Sequence, residues 1–249
     1  MMKNNYNTLL QIIIIFFMIF FVQSANSIGA KIVDPQLLCL MASTHYERKY
    51  NIPKDVLSSI SIVESGRWNK EYKVSLAWPW VVGIDGKGNF FNTYNEAAIF
   101  LKKAVAANAN VDIGCHQVNW KMHGHHFNKP EELLHPKHNA QYAAYFLTQK
   151  FQAAKNWNKA IAHYHSQTQS LGTVYLQKVQ KILNVMQGEC KMHYHNYLKN
   201  GTEQIKSYKN GGYKAIAANN TMQKHSEQQK NILVFTQNIE LPVNSVIVE

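Results

Sequence analysis

Acidic residues are scarce in this chain. Its 249 residues carry 15 Asp and Glu against 26 Lys and Arg, a formal net charge of +11. Such an excess argues against a cationic partner and favours anionic ones: nucleic acid, a membrane surface or an acidic wall polymer. The nucleic-acid option lacks its own signals, since no RNP, zinc-finger or helix-turn-helix pattern is present, and no nucleic-acid partner is expected. The 12 histidines, among them His123, His125 and His126, lack the spacing of a zinc site. Neither a metal nor a cofactor is expected. Cysteine is sparse and odd in number, with Cys39, Cys115 and Cys190 leaving one over after any single disulfide. All three pairings remain open. No Cys-His catalytic pattern accompanies Cys115, which reads as a small buried filler.

The first segment has the layout of an export signal. Lys3 precedes an apolar run over 9–22, and the small residues Ser24-Ala25-Asn26-Ser27 follow. A secretory signal peptide is expected over residues 1–25, because a membrane span needs roughly 20 apolar residues. Its removal takes only Lys3 from the charge count and leaves +10. The cysteines then enter an oxidising compartment.

From residue 34 to 190 the pattern is mainly helical. Helices are expected over 37–50, 54–65, 97–108, 136–152, 157–165 and 171–187, with a short one opening at Pro130. WPWVVG and NFFN flank DGKG, which predicts a small β-hairpin over 78–92. Thr93-Tyr94-Asn95-Glu96 is a capping box. Gly66 is expected to end its helix in the left-handed conformation. Beyond Cys190 the composition turns to Lys, Asn, Gln and Tyr, so residues 191–249 are expected to form a basic, loosely packed C-terminal extension.

One acid stands out. In ISIVESG, Glu64 lies four residues after Ile60 and seven after Leu57, on the inward stripe of its helix. The helix C-terminus disfavours its charge by roughly 0.3–1 kcal/mol, less than one pKa unit at about 1.36 kcal/mol each. Burial raises a carboxyl by several units and is the larger effect. A carboxyl kept protonated near neutral pH suits a general acid.

Four stretches, in order, resemble the soluble lytic transglycosylase superfamily: IPKDVLSSISIVESG (52–66), DIGCHQVN (112–119), HPKHNAQYAAYFL (135–147) and NWNKAIAHYHS (156–166). Gly114, Gln117 and Asn119 fit the second motif, and Tyr164 stands at the tyrosine of the fourth. His116, Phe146, His165 and Ser166 depart from the commoner pattern. The resemblance implies a mainly α, lysozyme-like lytic transglycosylase domain with a small β-hairpin insertion, acting on peptidoglycan glycan strands, and the expected signal peptide makes the protein periplasmic. It implies Glu64 as the catalytic acid/base, with Ser65, Gln117, Asn119, Tyr164 and His165 contacting substrate.

The expected reaction cleaves the β-1,4 bond between N-acetylmuramic acid and N-acetylglucosamine and leaves 1,6-anhydro ends. A hydrolytic muramidase of the same fold and a non-catalytic wall-binding or secretion-scaffold protein are the alternatives. Trp68, Trp78, Trp80, Phe90, Phe91 and Trp120 are candidates for a saccharide groove, with one or two expected there. A secretion-system or envelope-complex partner is an expectation attached to the C-terminal extension.

Overall fold

A computed structural model describes residues 34–207. The expected signal peptide and the chain after Ser207 lie outside the described residues. Helix α1 (Pro35–Lys49) begins where Asp34 Oδ1 accepts the Gln36 N–H at 2.9 Å and Pro35 occupies the first turn, where its missing N–H is harmless. Helix α2 (Val56–Ser65) carries Glu64 in its last turn. The strands β1 (Gly66–Asn69) and β2 (Val74–Ala77) follow as an antiparallel pair.

Next come β3 (Val81–Ile84) and β4 (Lys87–Phe90), joined by Asp85 and Gly86 at φ 50° and 76°. Two consecutive positive φ values make the hairpin turn that Asp-Gly favours. Helix α3 (Tyr94–Ala106) starts at Thr93, whose Oγ1 accepts the Glu96 N–H at 3.2 Å. Strands β5 (Val111–Ile113) and β6 (Val118–Asn119) complete an antiparallel sheet of order β4-β3-β5-β6. The expected hairpin is therefore half of a four-stranded sheet, because the second motif folds as a hairpin onto β3. The short α4 (Trp120–His123) and two 3₁₀ turns lead to α5 (Pro136–Ala154), α6 (Trp157–His165), α7 (Gln169–Gln187) and α8 (Lys191–Ser207).

Two apolar cores divide the work. Leu37, Leu57, Ile60, Leu147, Ile161 and Val179 fill the helical one. Trp80, Leu101, Ile113, Leu133 and Leu134 fill a second, between α3 and the sheet. Cys39 and Cys115 form a disulfide between α1 and the β5–β6 loop. Cys115 is thus half of a covalent tie, in place of the expected filler, and Cys190 is the free thiol. Closing a loop between residues 76 apart in sequence stabilises the fold by about 4.5 kcal/mol in the chain-entropy model.

Two expectations are corrected. Gly66 is extended, at φ −62° and ψ 133°, and a side chain there would strike the Ile62 carbonyl. It is required for close backbone approach rather than for a left-handed turn. The start of the extension, expected to be loosely packed, is the helix α8. Tyr194 and Tyr197 bury their rings in the helical core, and Gly201 lets α8 lie against Leu37. Aromatic area replaces the aliphatics that the segment lacks.

Glu47 is a second buried carboxyl. It is 3% exposed and caps α2 from the neighbouring helix. Its Oε2 accepts the Asp55 N–H at 3.1 Å, and Oε1 accepts the Ser58 N–H at 2.8 Å and hydroxyl at 3.0 Å. Asp55 itself, at φ 66°, makes no side-chain cap. Glu47→Ala should therefore lower stability by about 1–3 kcal/mol through orphaned donors, read as an earlier urea midpoint with an unchanged slope.

Candidate active site

The end of α2 is fastened from below. Ser65 is buried, and its hydroxyl donates to the Cys115 carbonyl at 2.7 Å and the Ser61 carbonyl at 3.1 Å. The Trp78 N–H in turn meets Ser65 O at 3.1 Å. Expected as a substrate contact, Ser65 instead ties the helix to the second motif, since its hydroxyl has no face toward solvent. The preceding residue is thereby left half-buried at the helix end.

Glu64 meets a partner that the sequence reading missed. Tyr175, from α7, donates its hydroxyl to Glu64 Oε1 at 2.6 Å. Burial pushes the Glu64 carboxyl up from 4.5 to about 7; the Tyr175 bond opposes this, the Asp112 charge adds to it and Lys178 draws it down. Burial dominates, as the magnitudes on the sequence required. Burial and the nearby Glu64 charge hold the Tyr175 phenol well above its ordinary value, so it remains a donor.

Tyr164, expected to contact substrate, lies close enough to feel the Glu64 charge, and its hydroxyl donates to the His116 carbonyl at 3.1 Å. Its ring lies nearly parallel to that of Tyr175, 6.4 Å between centroids. His165 is exposed and stacks flat on Tyr175 at 4.7 Å. Glu64, Tyr164, Tyr175 and His165 are thus brought together where α2, α6 and α7 converge.

The second motif supplies a rigid floor. Gly114 adopts φ 77°, and a side chain there would strike the Leu133 carbonyl and come within 2.6 Å of Asn139 Nδ2. Asn139, fully buried, donates to the carbonyls of Ile113 at 2.7 Å and Leu133 at 2.9 Å, and its Oδ1 accepts the His116 N–H at 2.8 Å. His116 sits within this brace, between Asn139 and Ser43, and burial lowers its imidazole to about 4. It is a neutral structural group.

Gln117, at φ 46°, folds its amide onto the Gly114 carbonyl at 3.0 Å. Gly83 leaves space for it, since a Cβ there would come within 2.5 Å of Gln117 Oε1. Asn119 bonds to its own neighbours. Its Nδ2 donates to Asn110 and Asp112, both at 2.9 Å, and its Oδ1 accepts the Met122 N–H at 3.0 Å. It orders the β6–α4 corner, where a sugar contact was expected. Asp112, bonded to Asn119, is raised by burial.

Of the aromatic candidates, Trp80 belongs to the second core, with Trp78, Phe91 and Trp120 packed against it. Trp68 and Phe90 are exposed, and the Arg67 guanidinium lies 4.5 Å from the Trp78 ring and 5.5 Å from Phe90.

Residues 41–182 match the family model described as the Transglycosylase SLT domain. The chain belongs to this family. No curated protein and no solved structure gives a match. The matched span of the SLT domain holds Glu64 and both tyrosines, while α8 lies beyond it. Its fold is the mainly helical, lysozyme-like one, and cleavage of peptidoglycan is the family's general activity.

Tyr175→Phe removes the one hydroxyl that, among the described residues, donates to Glu64, so the carboxyl, already raised to about 7, should move higher still. Carbon-13 NMR of labelled glutamate reads this directly, and a downward move would contradict the assignment. The raised value also carries a stability cost. It is absent below 4.5, where both folded and unfolded carboxyls are protonated, and complete above about 7. Glu64→Gln should therefore match the parent's stability at pH 4 and exceed it by roughly 1–3 kcal/mol at pH 8, measured by urea unfolding at both values.

Proposed function

We propose that this SLT domain is a lytic transglycosylase that uses Glu64 as its sole acid and base. The observation carrying this reading is the half-buried Glu64 carboxyl, held by Tyr175 and raised to about 7. At neutral pH a sizeable fraction of such a carboxyl is protonated, and the conjugate base remains accessible.

Glycosidases that use water or covalent attack place a second carboxylate across the bond. Asp112, the other carboxylate that acts on Glu64, is already bonded to Asn119. The substrate then supplies what a second acid would. Glu64 protonates the oxygen of the β-1,4 bond between N-acetylmuramic acid and N-acetylglucosamine, and the 2-acetamido group stabilises the positive charge at C1. The resulting Glu64 carboxylate takes the proton of the sugar's 6-hydroxyl. That oxygen bonds to C1 and closes the 1,6-anhydro ring, so no water is consumed and Glu64 ends protonated.

The other residues keep this cycle in register. Tyr175 donates to one carboxyl oxygen and leaves the second for the glycosidic oxygen. His165 stacks on Tyr175 and offers its outward edge to a sugar hydroxyl. Gln117, carried on the rigid loop, is the remaining candidate for orienting a sugar amide. An envelope location follows from the substrate.

Glu64→Gln should keep saccharide binding and lower the release of anhydro-muropeptides from isolated walls by at least about 10²-fold; normal release would sink the assignment. For the parent, kcat/KM should fall about tenfold per pH unit above about 7, as the acid form of Glu64 is lost. A profile flat to pH 9 would exclude Glu64 as the proton donor.

A further inference from the structure

A row of rings leads away from the carboxyl. Tyr164 meets Phe146 at 5.5 Å, Phe146 meets His123 at 4.8 Å, His123 meets Tyr142 at 5.3 Å, and Tyr142 meets His126 at 5.1 Å. The row starts in α6, crosses α5 and reaches α4 and the 3₁₀ turn behind it. His125, His126 and Tyr145 are exposed at its outer end, over the buried Tyr142. Tyr142 is fixed from below by a 2.9 Å bond between its hydroxyl and His123 Nδ1. The Lys150 ammonium lies 4.6 Å above the Phe146 ring. Past His125 a cavity of about 300 Å³ opens, lined by Val105, Asn108, Ala109, Trp120, Lys121 and His125.

The charge of this face is one-sided. No Asp or Glu occurs over residues 113–130 or 133–188, so α4, α5, α6 and α7 carry no carboxylate. Glu131, on the intervening 3₁₀ turn, is paired with Lys102 at 3.0 Å, and Glu132 acts on His138. His123 is lowered chiefly by burial, with His126, His125 and Lys150 adding to it, and no carboxylate lies among these groups. Among the described residues no group of three or more His, Cys, Asp or Glu converges on a metal position. Rings, imidazoles and ammonium groups without acids suit a ligand that is part aliphatic and part carboxylate.

We propose that this face binds the carboxylate-bearing peptide that branches from the glycan strand being cut. The inference rests on the wall-polymer reading of the Glu64 site. N-acetylglucosamine is neutral and the muramic lactyl group is amidated where a peptide is attached, so the peptides carry the anionic charge. Lys150, His126, His125 and Lys121 take the carboxylates, the exposed ring of Tyr145 takes aliphatic surface, and the cavity beside Trp120 takes one small side group. The strand's sugars remain at Glu64, with the peptide directed along the row.

Two measurements on the full chain test this, one of which needs no turnover. Wall peptides released by an amidase are titrated into the protein while the histidine ring resonances are followed by NMR. Saturable shifts at His123, His125 and His126 are expected, and their weakening in Lys150→Glu and in His126→Ala, each with an unchanged unfolding midpoint. Absence of shifts in the parent, or shifts in both variants as strong as the parent's, overturns the proposal. In the second measurement, cleavage of peptide-bearing strands is compared with that of strands stripped by the same amidase. The ratio of the two kcat/KM values should fall about tenfold in Lys150→Glu, the effect of losing one charge-assisted bond of about 1.4 kcal/mol. An unchanged ratio overturns the proposal. If neither strand is cleaved, the function assigned to Glu64 fails, and the peptide titration alone decides the fate of this face.

Discussion

The depth at which α2 is held decides what Glu64 can do, and that depth is set at the two ends of the helix. At the N-terminus the Glu47 carboxyl gathers the donors of Asp55 and Ser58. At the other end the Ser65 hydroxyl reaches the Cys115 carbonyl, in a loop that the disulfide ties back to α1. A helix of ten residues anchored in this way has little freedom to slide. Glu64 therefore stays where burial raises it and where Tyr175 reaches it.

The loop after β5 gives this anchoring its rigidity. Gly114 fits so closely against Asn139 and the Leu133 carbonyl that a side chain there would strike them, and His116 packs beside Asn139 as a neutral imidazole. Most of the second and third sequence motifs thus serve to hold a backbone. His116 and Asn139 lie inside the protein, satisfying buried groups whose neglect would cost about 1–3 kcal/mol each.

Much of the fold was legible in the sequence, because helices with a marked apolar stripe declare themselves. The inward placement of Glu64 is readable from the positions of Ile60 and Leu57, and burial is the largest influence raising its carboxyl. Roles at the site were harder to read. Tyr175 lay hidden among more obvious aliphatics, although Gly172, Tyr175, Val179 and Met186, the buried positions of α7, follow the helical spacing that would have singled it out. Ser65 and Asn119 have the chemistry of sugar contacts, and only tertiary packing shows their hydrogen bonds already made. Three cysteines carry no pairing information; the fold brings Cys39 and Cys115 together. The packing of α8 was missed because tyrosine supplies its buried area.

A single carboxyl as acid and then base implies that solvent oxygen never enters the product. Cleavage of purified peptidoglycan in water enriched in oxygen-18, with the new ends analysed by mass spectrometry, tests that most directly. With Glu64 alone as acid and base, 1,6-anhydro-muramic ends without label are expected. Reducing ends carrying one oxygen-18 atom would contradict this and would make the protein a hydrolase with a water-activating group besides Glu64.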